Sequence, residues 1–278
     1  MHVLEYKEDN MAKRVISAII GAALLFFIFI LNNPIIINFA VTVVALVGLS
    51  EFYNVFKKKN YKPFEMLGYI VTLSILGIGF LENEVVKIFL FVIIPILVFV
   101  LFCKSIFTNM KYNILDIAIT LFGIIYVSFF FSFIPFICNL NNGEILIWYV
   151  FGGAFITDIF AFFVGVKFGK HKITKISPKK SLEGCIGGVV GCAIAFGVYT
   201  YILNTIGAIS LNWVMMTFVG IIISVISQIG DLAASSIKRF CEEKDFGSIM
   251  PGHGGVLDRF DSLIMIAPFL YMFFQFMI

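Results

Sequence analysis

The chain has 278 residues, 60% of them hydrophobic and 13% charged, with a formal net charge of +3 and a mean hydropathy of +1.03. That composition excludes a water-soluble globular domain, because a core of this size cannot hide so much hydrocarbon, 34 Phe included. The small net charge gives no reason to expect a nucleic-acid partner. Five cysteines without CxxC pairing or ligand-like spacing to the three histidines point to neither a disulfide framework nor a zinc site.

A spanning helix needs about 20 predominantly apolar residues, and on that criterion the sequence predicts an all-α, polytopic membrane protein with about nine transmembrane helices. In chain order they run from Val15 to Leu31, Pro34 to Phe56, Glu65 to Leu81, Val85 to Cys103, Ile114 to Ile137, Ile145 to Val166, Ile186 to Gly207, Leu211 to Ile237 and Ser262 to Ile278. The first follows Lys13 and Arg14 but shows no small-residue cleavage site, so it reads as an uncleaved helix. Of the 20 Lys and Arg, 19 fall in the N-terminal segment and every second loop, and Lys87 alone lies on the other side. The positive-inside rule makes those segments cytoplasmic and leaves the C-terminus outside. Residues 1–137, with about five spans, form an N-terminal membrane region. Residues 138–278 form a catalytic membrane region with two polar cytoplasmic loops and an active site on the cytoplasmic side.

The first region carries no chemical cluster. Glu51 and Asp116, near cytoplasmic span ends, read as packing or boundary residues. The sixth span brings Asp158, nine residues before Lys167 and so roughly 13 Å below the cytoplasmic end at 1.5 Å per residue. The loop beyond it, Lys167 to Gly184, holds six lysines punctuated by Gly169, Ser177-Pro178 and Gly184. Lysine runs at a membrane face usually set topology and attract anionic lipid, the simpler reading for Lys57, Lys58, Lys59 and Lys62. In this loop the turn residues let backbone N–H groups approach an anion, which makes Lys170, Lys179 and Lys180 candidate substrate-binding residues.

Asp231 in the eighth span lies roughly 10 Å below Lys238 by the same helical rise. A lone carboxylate at such depth costs on the order of 2.5–3.5 kcal/mol, so Asp158 and Asp231 should each face a cation or a wet cavity, unless protonated in a helix-packing hydrogen bond. Asp231, Ser235 and Lys238 or Arg239 recur at helical spacing and share one stripe. Beyond them come Lys244-Asp245-Phe246-Gly247 and Pro251-Gly252-His253-Gly254-Gly255-Val256-Leu257-Asp258-Arg259-Phe260-Asp261. The glycines allow close backbone approach to a ligand. His253 can donate to phosphate or satisfy a turn carbonyl, and Arg259 offers a fork for phosphate or an ion pair to an aspartate. Asp258 and Asp261, spaced i and i+3, suit either a metal or a helix N-terminus. Carboxylates converging at a membrane surface among lysines suit a hard divalent cation, magnesium first, holding phosphate oxygens.

The ordered string Ser235-x-Ile-Lys-Arg-x4-Lys-Asp-x-Gly, then Pro-x-His-Gly-Gly-Val-x-Asp-Arg-Phe-Asp261, resembles the C-terminal signature of the phosphatidate cytidylyltransferase (CDP-diacylglycerol synthase) family. Asp158 through Gly165, Gly169-Lys170 and Ser177-Pro178-Lys179-Lys180-Ser181-x-Glu183-Gly184 resemble the region that precedes it. Met250 departs conservatively from the pattern, and Ser181-Leu182 stands where many relatives carry Thr-Trp.

The resemblance implies transfer of the cytidylyl group of CTP to phosphatidic acid, giving CDP-diacylglycerol and pyrophosphate without a protein nucleophile. It implies metal ligation by Asp231, Asp258 and Asp261, with Asp158 as a companion and a monovalent cation as a further candidate. Lys238, Arg239, Lys244 and Arg259 are expected to bind phosphates, with Ser235 and His253 orienting oxygens. Two other readings stay open. A CTP-dependent lipid kinase acting on a polyprenol would transfer the γ-phosphate instead, and an ion-coupled transporter would place Asp158 and Asp231 along an ion path. Gly187-Gly188 and Gly191 permit close helix packing, within the chain or across a homodimer.

Overall fold

The computed structural model describes residues 21, 23–77, 83–174, 176–250 and 254–277. The described residues are helical, with two isolated β-bridges and no strand among them. We number the helices α1 (Pro34–Lys58), α2 (Glu65–Gly77), α3 (Asn83–Phe107), α4 (Ile114–Gly123), α5 (Phe130–Cys138), α6 (Gly143–Phe168), α7 (Leu182–Thr205), α8 (Trp213–Phe240) and α9 (Leu257–Met277), with a π-helical turn, Ile124–Phe129, joining α4 to α5. Among the described residues six helices are long and apolar enough to cross a membrane, α4 to α5 counting as one. The protein is an integral membrane protein. Of the first predicted span, residues 21 and 23–31 are described, helical as far as residue 30, and the rest lies outside the described residues.

Local side-chain caps mark the starts of four helices. Asn33 caps α1, its side chain accepting from the amides of Ile35 and Ile36, and Pro34 takes the first helical position, where its missing N–H removes no bond. Asn113 and Asp116 form a reciprocal capping box on α4, Ser181 caps α7 through Gly184 N, and Asn212 accepts from Val214 N and Met215 N at the start of α8. Helix α9 has no such local cap. It starts at Leu257, five residues before the predicted Ser262, so Asp261 lies inside the helix rather than at its N-terminus.

The chain divides into two compact units. One contains the described residues up to Phe136 together with Cys241–Arg259, and the other contains Ile137–Phe240 and Phe260–Ile278. The segment carrying most of the polar signature therefore groups with the N-terminal helices.

Within the first unit, Phe52 and Tyr53 of α1 are fully buried. The Tyr53 hydroxyl donates to Thr120 O at 3.1 Å. A Cβ at Gly123 would stand 2.7 Å from the Tyr53 ring and 3.0 Å from that of Phe52, and the π-turn begins directly after this glycine. Asp116 is buried and accepts from the amides of Lys62 and Asn113, the packing role its sequence position suggested.

In the second unit, α7 lies close against both α6 and α8. A Cβ at Gly188 would stand 2.9 Å from Thr157 O, and one at Gly220 2.9 Å from Ala193 Cα. Tyr149 is buried with its hydroxyl 2.7 Å from Thr200 Oγ1, and its ring packs on Phe196 and Phe274. A polar seam continues toward the charged end: Thr157 Oγ1 donates to Ser224 Oγ at 2.9 Å, and Gln228 Nε2 donates to Cys185 O at 3.2 Å. Bonds of this kind satisfy groups that lipid and hydrocarbon cannot.

Candidate active site

Three helices of the second unit each supply one carboxylate: Asp158 from α6, Asp231 from α8 and Asp261 from α9. Gly230 makes the approach of the last two possible, because a Cβ there would stand 3.0 Å from Asp261 O and 2.9 Å from Met265 Cγ. Asp261 is 7% exposed, with Ser262 N donating to its Oδ1 at 2.7 Å. Asp231, Lys238 and Asp158 all act on it electrostatically. Asp231 is ion-paired to Lys180, both side chains partly exposed. Ser235 and Lys238 are half-buried on α8, and Arg239 is exposed beside the helix end, where cations complement the carbonyl dipole.

Lys180 stands at the base of the basic loop, which folds as a short hairpin. Lys172 and Ser181 form an antiparallel bridge, Leu182 N donates to His171 O at 2.9 Å, and Ile173 N donates to Lys180 O at 3.3 Å. Glu183, in the first turn of α7, clasps the other end. Its carboxylate accepts from Lys170 N at 3.1 Å and from His171 N at 3.3 Å, and lies 2.6 Å from His171 Nδ1. Lys170 and Lys179 point into solvent from this frame.

The rest of the predicted site belongs to the first unit. Asp258 Oδ2 accepts from Phe246 N at 2.8 Å and from Gly255 N at 2.9 Å, tying together the two ends of the signature segment. Gly254 sits at φ +86°, a backbone region that suits glycine, and Met250 N donates to its carbonyl at 3.0 Å. Lys244 and Arg259 are exposed. His253 lies outside the described residues. Lys57, Lys58 and Lys59, read as topology determinants, pair with Glu65, Glu243 and Glu242 at 3.0, 2.7 and 3.2 Å.

Sequence reasoning missed the part Glu51 plays. This carboxylate, 3% exposed and two turns before the end of α1, accepts from Val256 N at 2.9 Å and from Leu257 N at 2.8 Å. It is the cap that α9 lacks locally. Gly247 and Gly255 are the signal that could have found it, because two glycines leave room for an inserted group; a Cβ at Gly255 would stand 2.5 Å from Glu51 Oε2.

The donors of the second unit fit a hard divalent cation in chemistry. They are all carboxylate oxygens, the ligand type that such a cation takes. Among the described residues no three His, Cys, Asp or Glu side chains form a ready metal cage. Such a cation would therefore take part of its shell from a ligand that brings oxygens of its own, as phosphates do.

A profile of the cytidylyltransferase family matches residues 12–277. The chain is 30% identical over 274 residues to the phosphatidate cytidylyltransferase of Bacillus subtilis, covering 94% of this chain and 97% of that one. It is 36% identical over 173 residues to that of Staphylococcus haemolyticus, covering 62% and 64% of the two chains. To that of Thermotoga maritima it is 37% identical over 158 residues, covering 55% and 57%. The family match over residues 12–277, with 30% identity to a relative across nearly the whole chain, places this protein in the cytidylyltransferase family.

Proposed function

We propose that this chain transfers the cytidylyl group of CTP to phosphatidic acid, releasing pyrophosphate and leaving CDP-diacylglycerol in the membrane. A phosphate oxygen of the lipid forms a bond to the α-phosphorus of CTP while the bond from that phosphorus to the bridging oxygen of the pyrophosphate breaks. The observation that carries the reading is the gathering of Asp158, Asp231 and Asp261 from three helices, with Lys180 and Lys238 as their cations. Phosphoryl chemistry of this type needs positioning and charge neutralisation rather than a protein nucleophile. The named activity of the relatives supports the same reading.

The residues divide the work by charge. Lys170 and Lys179, exposed on the hairpin, draw anionic substrates to the surface. Lys180 exchanges Asp231 for a phosphate oxygen, and Lys238 and Arg239 hold further phosphates, with Ser235 orienting an oxygen. Asp158, Asp231 and Asp261 would hold magnesium. When bound, the ion neutralises the triphosphate and the departing pyrophosphate. The charge sorting of the loops supports nine spans with the N-terminus and this site on the cytoplasmic side.

The test is an assay of detergent-purified protein with phosphatidic acid, magnesium and CTP labelled at either the α- or the γ-phosphate. Label is expected to enter lipid from the α-position only. Entry from the γ-position alone would make the protein a lipid kinase. Entry from neither, together with CTP-independent uptake by proteoliposomes, would make it a transporter.

A further inference from the structure

We propose that Glu51 is a positioning residue for cytidylyl transfer, holding the signature segment and the start of α9 in their working geometry from the N-terminal part of the chain. The proposal rests on the cytidylyl-transfer reading of function.

The sequence of α1 gives no reason for a carboxylate at this depth. The helix is otherwise apolar from Pro34 to Val55 apart from small polar residues, and Glu51 is followed by the buried Phe52 and Tyr53. Burying a carboxylate is costly unless hydrogen bonds offset the lost hydration. Here each oxygen has one backbone donor, Val256 N on Oε1 and Leu257 N on Oε2. These are N–H groups that the first turn of a helix cannot satisfy internally, and the positive end of the helix dipole adds to the attraction. Helix and carboxylate therefore each remove the other's penalty.

The consequence reaches the chemistry through the residues next to the capped amides. Asp258 and Arg259 come directly after Leu257, and Asp258 in turn holds Phe246 N and Gly255 N. Gly247 and Gly255 leave no side chain between the segment and Glu51. The capped helix end is also unavailable to phosphate, since Glu51 occupies the donors an anion would use. Among the described residues of the signature segment, phosphate contacts then fall to Lys244 and Arg259. Glu51 touches no substrate in this scheme and acts only through the segment.

Glu51→Gln, Glu51→Asp, Gly255→Ala and the Glu51→Asp/Gly255→Ala double variant test this. Glutamine can accept from only one of the two amides and turns an NH2 group toward the other. Glu51→Gln is expected to lose about 10- to 100-fold in kcat/KM for CTP, with a raised KM for CTP and an unchanged KM for phosphatidic acid. Gly255→Ala pushes a methyl group into the carboxylate and is expected to be impaired as well. The shorter aspartate makes room for that methyl, so the double variant should be more active than Gly255→Ala alone, a rescue that a general loss of folded protein would not give. Trypsin cleavage after Lys244 and Arg259, measured in the same preparations, is expected to quicken in Glu51→Gln.

Wild-type kinetics in Glu51→Gln would overturn the proposal. So would a loss explained entirely by a smaller folded fraction with KM unchanged, or no rescue in the double variant. If the wild type itself transfers no α-label, the reading of function fails instead, and unchanged cleavage in Glu51→Gln would then sink the positioning role on its own.

Discussion

The basic hairpin at residues 169–181 and the signature segment at residues 241–259 are both polar excursions between apolar helices, and each is held by a glutamate that accepts backbone amides. The two glutamates differ in reach and burial. Glu183 lies two residues beyond its hairpin, and its partner His171 is largely in water, the side chains being 24% and 75% exposed. Glu51 is 3% exposed and lies about 200 positions away in sequence from the amides it caps. A hairpin held by an exposed local clasp can breathe and still re-form, because its partners stay tethered nearby. A segment held by a buried distant carboxylate has one geometry or none, since an uncapped buried amide or an unpaired buried carboxylate has no water to turn to. The hairpin thus suits capture of mobile anions, and the segment suits a fixed reaction geometry.

The largest effect that bears on this contrast is expected at Asp258, the segment's internal staple. Asp258→Ala leaves Phe246 N and Gly255 N without this acceptor and removes a charge beside Arg259. Turnover with α-labelled CTP should fall by on the order of 1,000-fold while the protein still inserts and purifies. An active Asp258→Ala enzyme would show that the segment holds its own shape and would break the contrast.

A smaller effect is expected at the hairpin. Glu183→Gln removes the anionic acceptor of Lys170 N and His171 N, yet the bridge between Lys172 and Ser181 and the ion pair of Lys180 with Asp231 remain. The loss in kcat/KM for CTP should be about 3- to 10-fold and should lie mainly in KM, as the proposed role of the loop in gathering substrate requires. A loss as deep as that of Asp258→Ala would mean that the hairpin is held to one geometry as strictly as the segment.

Which features could be read from the sequence obeys the same division by distance. Apolar runs predicted the helices, and α1 and α4, each with a local cap, begin at the predicted Pro34 and Ile114, whereas α7, capped by Ser181, begins at Leu182, four residues before the predicted Ile186. The start of α9 was missed, because its cap is Glu51 and nothing near Leu257 announces it. The π-turn at Ile124–Phe129 was equally invisible, since it is bound up with the fit of Phe52 and Tyr53 against Gly123. Asp158 and Asp231 were legible as isolated charges in an apolar context, and Lys180 and Lys238 as members of basic clusters. That Lys180 in particular pairs with Asp231 depends on the hairpin turning its chain back toward α7. The sequence singled out Lys170, Lys179 and Lys180 from the six lysines of that loop, but not which of the three meets Asp231.

The smallest effect should come from the ion pairs that join the end of α1 to the residues just after α8. Lys58 with Glu243 and Lys59 with Glu242 tether the same segment that Glu51 anchors, at 2.7 and 3.2 Å, but their side chains are exposed by 60% and 31% in the first pair and by 34% and 82% in the second. Water and salt compete for every one of these charges, so a pair of this kind contributes about 0–1 kcal/mol. The double variant Lys58→Ala/Lys59→Ala is expected to stay within about twofold of wild-type kcat/KM and within a few degrees in Tm. The outcome decides which tether sets the segment. If the double variant instead loses as much as Glu51→Gln, the rim of ion pairs fixes the segment and the buried cap merely adapts to it; if it is silent, the geometry is set from inside, by one carboxylate meeting two amides away from water.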